Sequence, residues 1–318
     1  MTDLSIKPGQ IVTRAEMTAI VGGGSQGGII PSATTNNILL YSDHDSGAQF
    51  GYYDGWLAEG DADGPLFEYT GAGRIGDQTF TGPNKAVLHH VDTQKALHVF
   101  IAVGVVPGTK TKTHRYLGQF QLDDQQPYVI RRAPDEKGDL RWAIVFNLRP
   151  IGTVQRTTQD QIPPAPRTTA LRVPAEETTS KLVAPETNTK FRSRRPAVPK
   201  TEAQRREAQL TDDYMAYLKT QHHVVERFQI KIKGLTSTFF TDIYDSTANI
   251  LYEAKSSSSR DAVRMAIGQL FDYRRHVLPI EPLLAILLPA EPHNDLQDLL
   301  ASLDIKLIYP KGGEFFCI

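Results

Sequence analysis

The sequence predicts two dissimilar domains, a β-rich barrel or sandwich over residues 1–150 and a mixed α/β domain over residues 201–318. Three observations carry this. Short apolar, β-branched runs punctuated by glycine fill the first half. Residues 151–200 are rich in Pro, Thr and charge, with Phe191 as the one aromatic. Beyond them, strand-like runs alternate with amphipathic helical patterns.

The strand-like runs of the first half are NILLYS, AQFGYY, LFEYTG, ALHVFIAVG, HRYLGQFQL and RWAIVFNL. The Pro/Thr-rich stretch has too little apolar surface to offset its ordering entropy, so it reads as a linker. Its prolines favour extended chain, which makes it a semi-rigid tether. Thr201 and Gln204 form a capping box that opens a helix with Leu210, Tyr214 and Leu218 on one face. Strands follow at RFQIKI, TFFTDIY and NILYEAK, then a helix from about Asp261 to Val277. The remainder reads as strand LLAILLP, helix NDLQDLLASL, strand IKLIYP and a terminal EFFCI. No internal repeat is present.

Bulk properties exclude several classes. At 318 residues the chain can bury two cores, and 40% hydrophobic with 22% charged residues is globular composition. No apolar run reaches membrane-spanning length, and residues 1–30 lack the pattern of a secretory signal, so the expected location is the cytoplasm. The single cysteine, Cys317, excludes a disulfide framework and a Cys-rich zinc site. A net charge of −1 announces no global basicity. Two local basic clusters exist: Lys110, Lys112, His114 and Arg115, then Lys190, Arg192, Arg194, Arg195, Lys200, Arg205 and Arg206. Taken alone, each reads as solvated loop charge. GGGSQGGI is not a P-loop, because no Gly-Lys-Ser/Thr follows. It reads as a plain loop, or as flexible backbone or a place of close approach to DNA. His89 and His90 lack partners at zinc or HNH spacing and read as structural.

The chemistry of the second half centres on DIYDSTANILYEAK, residues 242–255. On a strand, Glu253 and Lys255 share one face while Ala254 takes the other. A paired strand ending in Asp242 brings a second carboxylate to Glu253. Two carboxylates and the Ala254 carbonyl make an all-oxygen site suited to Mg²⁺, beside which the Lys255 ammonium can orient an attacking water. Asp245 is the competing acid, but it lies in a turn-rich stretch where Asp serves local geometry, so the choice falls on Asp242. In the following helix, Gln269 and Tyr273 share a face at i,i+4, beside Leu270 and Phe271, which read as core.

The first half carries its densest signal in GYYDGWLAEGDADGPLFEYTGAGRIGDQTFTGPNKAVLHH. Tyr52, Tyr53, Trp56, Phe67 and Tyr69 stand among turn residues, and Phe67 reads as a core plug. A pocket for an extruded base needs two π-faces and polar groups for the Watson–Crick edge. An Asp carboxylate accepting from the cytosine amino group is the natural pairing.

This text resembles the SRA (YDG) family of modified-cytosine readers, in the variety found in bacterial McrA-type restriction enzymes. The likeness covers roughly residues 5–148 and rests on GGGSQGGI, GYYDGW, FEYTGAGRIGDQ, GPNKA with Gly82 and Asn84, His90 and HRYLGQF. It implies that Tyr69 stacks on a flipped base and that Thr70 contacts its edge or the flanking phosphate. The second stacking residue is Tyr52, Tyr53 or Trp56, and the edge-reading carboxylate is Asp54, Asp61 or Asp63. The second half, through TDIYD…LYEAK and GQLFDY, is similar to the PD-(D/E)XK nuclease superfamily. That likeness implies Asp242, Glu253 and Ala254 as ligands of Mg²⁺ or Mn²⁺ and Lys255 as the catalytic lysine. It further implies Gln269 and Tyr273 as residues that support the site or contact DNA, with Glu226 as an auxiliary acid. Together the two halves imply a modification-dependent (type IV-like) endonuclease of the bacterial cytoplasm. Its partner would be double-stranded DNA bearing 5-methyl- or 5-hydroxymethylcytosine, and it would act as a homodimer for double-strand cleavage. The alternatives are a modified-DNA binding protein with an inactive nuclease fold, and a RecB-like repair nuclease without modification preference.

Overall fold

Successive strand residues point to opposite faces, and the first half supplies apolar side chains for both. The computed structural model describes residues 4–24, 26–47, 52, 54–59, 64–124, 126–175 and 202–318. The chain divides into two compact units, Met1–Pro163 and Pro164–Ile318. Among the described residues no helix is long and apolar enough to cross a membrane.

In the first unit the elements run β1 (Ile11–Thr13), α1 (Arg14–Val21), β2 (Ile29–Pro31), β3 (Asn37–Ser42), α2 (His44–Gly47), β4 (Gly55–Trp56) and β5 (Phe67–Thr70). They continue with α3 (Gly82–Leu88), β6 (Ala96–Val105), β7 (Lys112–Leu122), β8 (Tyr128–Pro134) and β9 (Leu140–Ile151). The sheet follows the order β2-β3-β6-β7-β9-β5-β4, with β1 joined to β7 and β8 to β9. Among the described strands of this unit only β3 and β6 pair in parallel. Among the described residues the path is open, because its end strands β2 and β4 do not pair with each other. Ile38, Leu40, Val99 and Ile101 face one core with Trp56, Phe67 and Phe146. Their neighbours Leu39, Tyr41 and Phe100 face a second core with Met17 and Val21 of α1. The expected strand AQFGYY lies almost wholly outside the described residues.

The linker expected over residues 151–200 is corrected over its first half. Residues 151–163 strap back onto the first sheet: Gln155 N–H donates to Leu117 O at 2.8 Å and Ile162 N–H to Trp56 O at 3.0 Å. Asp160 is 1% exposed and pairs with Arg115. Residues 169–174 form β10, which joins the second sheet. Residues 176–200 lie outside the described residues.

In the second unit β10 (Thr169–Pro174) is followed by α4 (Glu202–Thr220), β11 (Val225–Lys231), β12 (Thr238–Phe240), β13 (Ile243–Asp245) and β14 (Ile250–Ala254). Then come α5 (Arg260–Arg274), β15 (Leu283–Leu287), α6 (Asn294–Ser302), β16 (Ile305–Lys311) and β17 (Glu314–Cys317). The expected strand TFFTDIY is split in two at Thr241–Asp242. The sheet order is β10-β11-β13-β14-β15-β16-β17, with β12 also on β11. The central strands β14, β15 and β16 are parallel and covered on both faces, as parallel strands require. Leu210, Tyr214 and Leu218 of α4 pack on one face with Tyr252 and Ala254. Val263, Ala266 and Leu270 of α5, with Leu296 and Leu300 of α6, cover the other. Phe271, read as core, is 42% exposed, since it lies one residue past the buried stripe of α5.

Candidate functional site

Each unit carries one candidate site. In the second, the β13–β14 hairpin sets Ile243 opposite Tyr252 and brings Asp242 to the end of β14. Ala254 N–H donates to Asp242 Oδ2 at 2.8 Å. Lys255 Nζ donates to Glu253 Oε1 at 2.6 Å and to Ala254 O at 2.9 Å. Glu253 and Lys255 are both buried.

Two carboxyls this close and this dry resist ionisation. Burial raises the Asp242 carboxyl, while the Ala254 N–H, Lys255 and Arg227 draw it down. Burial, with Asp242 beside it, pushes Glu253 up to about 8 against the opposing pull of Lys255. Arg227 is brought down to about 10 by burial and lies 4.4 Å over the Phe240 ring. Tyr273 is pushed up to about 12, by burial first and then by Glu253. Gln269 hydrogen-bonds to Tyr273, and its own Oε1 is buried without a partner among the described residues. All five expected residues of this half therefore gather at one place.

Asp245 does not join them. Its Oδ1 accepts from Thr247 and Ala248 N–H, and its Oδ2 lies 2.5 Å from His223 Nδ1. It closes the turn. Glu226 is also elsewhere, 3.3 Å from Arg172 on β10. The third acid at the site is one the sequence reading missed, Glu207 of α4. Its carboxylate accepts from Ser256 N–H at 3.1 Å. Burial raises it, Lys255 lowers it and Asp242 raises it further. Its only sequence signal is a place on α4 one turn before Leu210.

Among the described residues no group of three His, Cys, Asp or Glu side chains is disposed to hold a metal. Mg²⁺ needs less from a protein, commonly one or two carboxylates with water and phosphate oxygens. Asp242, Glu253 and the Ala254 carbonyl are hard oxygen donors, and the Lys255 ammonium already rests on two of them. Buried carboxyls whose ionisation a nearby cation would favour, set beside a carbonyl, fit such an ion.

In the first unit a cavity of about 400 Å³ is lined by Arg14, Gly27, Gly28, Ile29, Tyr41, Asp43, Gly47, Tyr52, Asp54 and Tyr69, and by Thr70 to Arg74. Four of the eight candidate pocket residues are here: Tyr52, Asp54, Tyr69 and Thr70. Tyr69 is buried, its hydroxyl donating to Tyr41 O at 3.2 Å. Asp54 Oδ1 accepts from Thr70 N–H at 2.7 Å. Burial raises the Asp54 carboxyl, while hydrogen bonds from Thr70 and Ser42 lower it. Tyr52 donates its hydroxyl to Gly73 O. Within GGGSQGGI, a Cβ on Gly28 would stand 2.9 Å from the Tyr69 hydroxyl.

Trp56 does not reach the cavity. It is fully buried, edge-to-face with Phe67 at 5.3 Å and capped by Arg156 at 4.6 Å. Phe67 is core as expected. Tyr53, Asp61 and Asp63 lie outside the described residues. The basic cluster at Lys110–Arg115 does not form one patch: Lys112 pairs with Asp43, Arg115 with Asp160, and His114 is 1% exposed. Of the second cluster only Arg205 and Arg206 are described, both exposed on α4.

Residues 8–165 match the family described as ScoMcrA-like, SRA domain. Among solved structures, the sulfur-binding and SRA domains of ScoMcrA complexed with phosphorothioated DNA align at 21% identity over 51% of this chain and 44% of that one, with a TM-score of 0.34. The type IV phosphorothioation-dependent restriction endonuclease ScoMcrA aligns at 20% identity over 51% and 30%, TM-score 0.36. The SUVH5 SRA domain with hemimethylated CG DNA aligns at 19% identity over 49% and 96%, TM-score 0.34. The chain thus spans less than half the length of the first two. No curated protein matches. By the family match, residues 8–165 are an SRA domain of the ScoMcrA-like type.

Proposed function

We propose that the chain is a modification-dependent DNA endonuclease. Its SRA domain holds a flipped modified cytosine, and its second unit, a PD-(D/E)XK-type nuclease, hydrolyses a phosphodiester nearby. The observation that carries this is the gathering of Asp242, Glu253, Lys255, Gln269 and Tyr273 in one cluster, in the same chain as the cavity of the SRA domain. The ScoMcrA and SUVH5 SRA structures are complexes with phosphorothioated and hemimethylated DNA.

In the first unit Tyr52 offers ring surface and Tyr69 backs the cavity, while Thr70 and Asp54 offer a hydroxyl and a carboxylate to a base edge. In the second, Asp242, Glu253 and Ala254 O would hold Mg²⁺ or Mn²⁺. Bound there, the ion would supply Lewis-acid stabilisation of charge on the phosphate. The Lys255 ammonium holds the attacking water by hydrogen bonding. As the water oxygen bonds to phosphorus, the P–O bond to the leaving strand breaks and its electron pair leaves with that oxygen, which then takes a proton. Gln269 and Tyr273 keep the Glu253 side of the site rigid.

The test is cleavage by the full chain, with Mg²⁺ or Mn²⁺, of matched DNA carrying cytosine, 5-methyl-, 5-hydroxymethyl- or glucosylated cytosine. Cutting of one modified substrate, abolished by Glu253→Ala and Lys255→Ala with binding kept, is expected. Intact DNA under every metal leaves a modified-DNA binding protein. Equal cutting of all four leaves a repair-type nuclease.

A further inference from the structure

One wall of the SRA cavity is bare backbone, the segment from Thr70 to Gly73. Each peptide group along it is fixed by a side chain or by β9. Thr70 N–H goes to Asp54 Oδ1 and Gly71 N–H to Ile144 O at 2.8 Å. Ala72 N–H goes to Asn84 Oδ1 at 2.7 Å. The carbonyls turn the same way. Gly71 O accepts from Gln78 Nε2 at 2.6 Å, and Ala72 O from Asn84 Nδ2 at 2.9 Å. Gly73 O takes Gln78 Nε2 at 3.0 Å, Arg141 Nη1 at 2.6 Å and the Tyr52 hydroxyl.

The anchors stand behind the wall and do not line the cavity themselves. Gln78, Asn84 and Arg141 are 9%, 3% and 2% exposed. They come from three places: Gln78 precedes α3, Asn84 lies within it, and Arg141 is on β9. Gln78 also accepts from Ile144 N–H at 2.8 Å, so it ties the wall to the sheet through both ends of its amide. Asn84 Nδ2 also donates to Thr79 O at 2.9 Å, which ties the wall to the segment before α3. Gly71 has to be glycine, since a Cβ would meet Asn84 Oδ1 at 2.9 Å and Gln78 Oε1 at 3.1 Å.

We propose that Gln78, Asn84 and Arg141 are positioning residues that fix this backbone wall and thereby set the discrimination between modified and unmodified cytosine. The proposal rests on reading the cavity as the base pocket. A methyl group in a fitted pocket is worth roughly 10- to 200-fold, and only if the wall it touches does not give way. A wall with only a threonine and an alanine for side chains has no other source of stiffness than the groups that hold its peptides.

Gln78→Glu separates this from a general packing role. The substitution is nearly isosteric and keeps the acceptor for Ile144 N–H. Ionised, it faces Gly71 O and Gly73 O without a donor; protonated, it donates again. Full-length protein is titrated without divalent metal against matched duplexes carrying one cytosine, 5-methylcytosine or 5-hydroxymethylcytosine. The wild type is measured at every pH alongside. The expected result is that the variant loses about 10-fold or more of the wild-type preference near pH 9 and regains it near pH 6, with affinity for the unmodified duplex unchanged. Asn84→Asp, which keeps the acceptor for Ala72 N–H and loses both donors, is the second variant and carries the test if the first fails to fold. Wild-type preference in both variants near the alkaline end, or proportionate weakening on all duplexes, overturns the proposal. A wild type without preference overturns the base-pocket reading instead.

Discussion

Glu68 and Arg131 meet on the β5–β9–β8 part of the first sheet through two contacts, Nη1 to Oε2 at 2.6 Å and Nη2 to Oε1. Both side chains are nearly out of water, at 4% and 13% exposure. Breaking such a pair leaves one buried charge without its partner, which costs far more than the pair contributes. Glu68→Gln is expected to destabilise the first unit by about 3–5 kcal/mol, and Glu68→Met with Arg131→Leu by clearly less. Urea unfolding followed by near-ultraviolet circular dichroism checks both. His98 makes a second residue-level case. Its ring nitrogens lie 2.8 Å from the Tyr116 hydroxyl and 2.9 Å from Asn37 Oδ1, and burial brings it down to about 4. The unfolded chain therefore takes up a proton near pH 6.5 that the folded one refuses. The stabilisation is complete above about pH 6.5 and is lost as pH falls towards about 4, on the order of 3 kcal/mol. Burial brings His114 down to about 4 as well, so it titrates in the same window. His98→Gln is expected to flatten part of the fall in melting temperature on acidification, and an unchanged slope would remove His98 from this account.

Elements of the second unit were legible because each has its own local signature. The α4 stripe of Leu210, Tyr214 and Leu218 is buried at helical spacing, and β14 alternates Leu251 and Tyr252 between the two cores. Residues 151–175 were misread because composition alone made them a linker. What orders residues 151–163 is contact with residues remote in sequence. Val154 packs so near Gly118 that a Cβ there, at φ +137°, would stand 2.7 Å from its side chain. Asp160 reaches Arg115, and Gln161 bridges to Trp56. No window of sequence contains both members of such a pair. The consequence is testable. A fragment of residues 1–150 exposes Trp56 and Leu117 backbone groups and leaves Arg115 without Asp160. It is expected to unfold well below a fragment of residues 1–163, measured as melting temperature side by side. Equal stability would mean that residues 151–163 merely lie on the sheet.

At the scale of the whole chain, the two sites differ in how far the sequence announced them. The nuclease-like cluster was legible because a hairpin and the helix after it carry nearly all of it, and only Glu207 comes from farther away. The SRA cavity was half legible: Tyr52, Asp54, Tyr69 and Thr70 sit in one dense stretch, but Arg14 and Asp43 reach the cavity, and the anchor Arg141 the wall behind it, through the tertiary fold. One cluster of Asp242, Glu253 and Lys255 per chain also fixes what a single protein can do to a duplex. One site hydrolyses one strand at a time, so under the proposed function a double-strand break needs two chains or two successive encounters. With modified supercoiled plasmid in excess over protein, nicked circles are expected to accumulate before linear DNA. Raising protein at fixed DNA is expected to speed the nicked-to-linear step more steeply than the first nick, because the second cut draws on a second chain. Mixing wild type with Glu253→Ala in equal amounts sharpens the comparison, as a mixed pair can nick but not cut both strands. Linear product appearing without a nicked intermediate, at a rate proportional to protein, would instead require a pre-assembled dimer in solution, visible as twice the chain mass by light scattering.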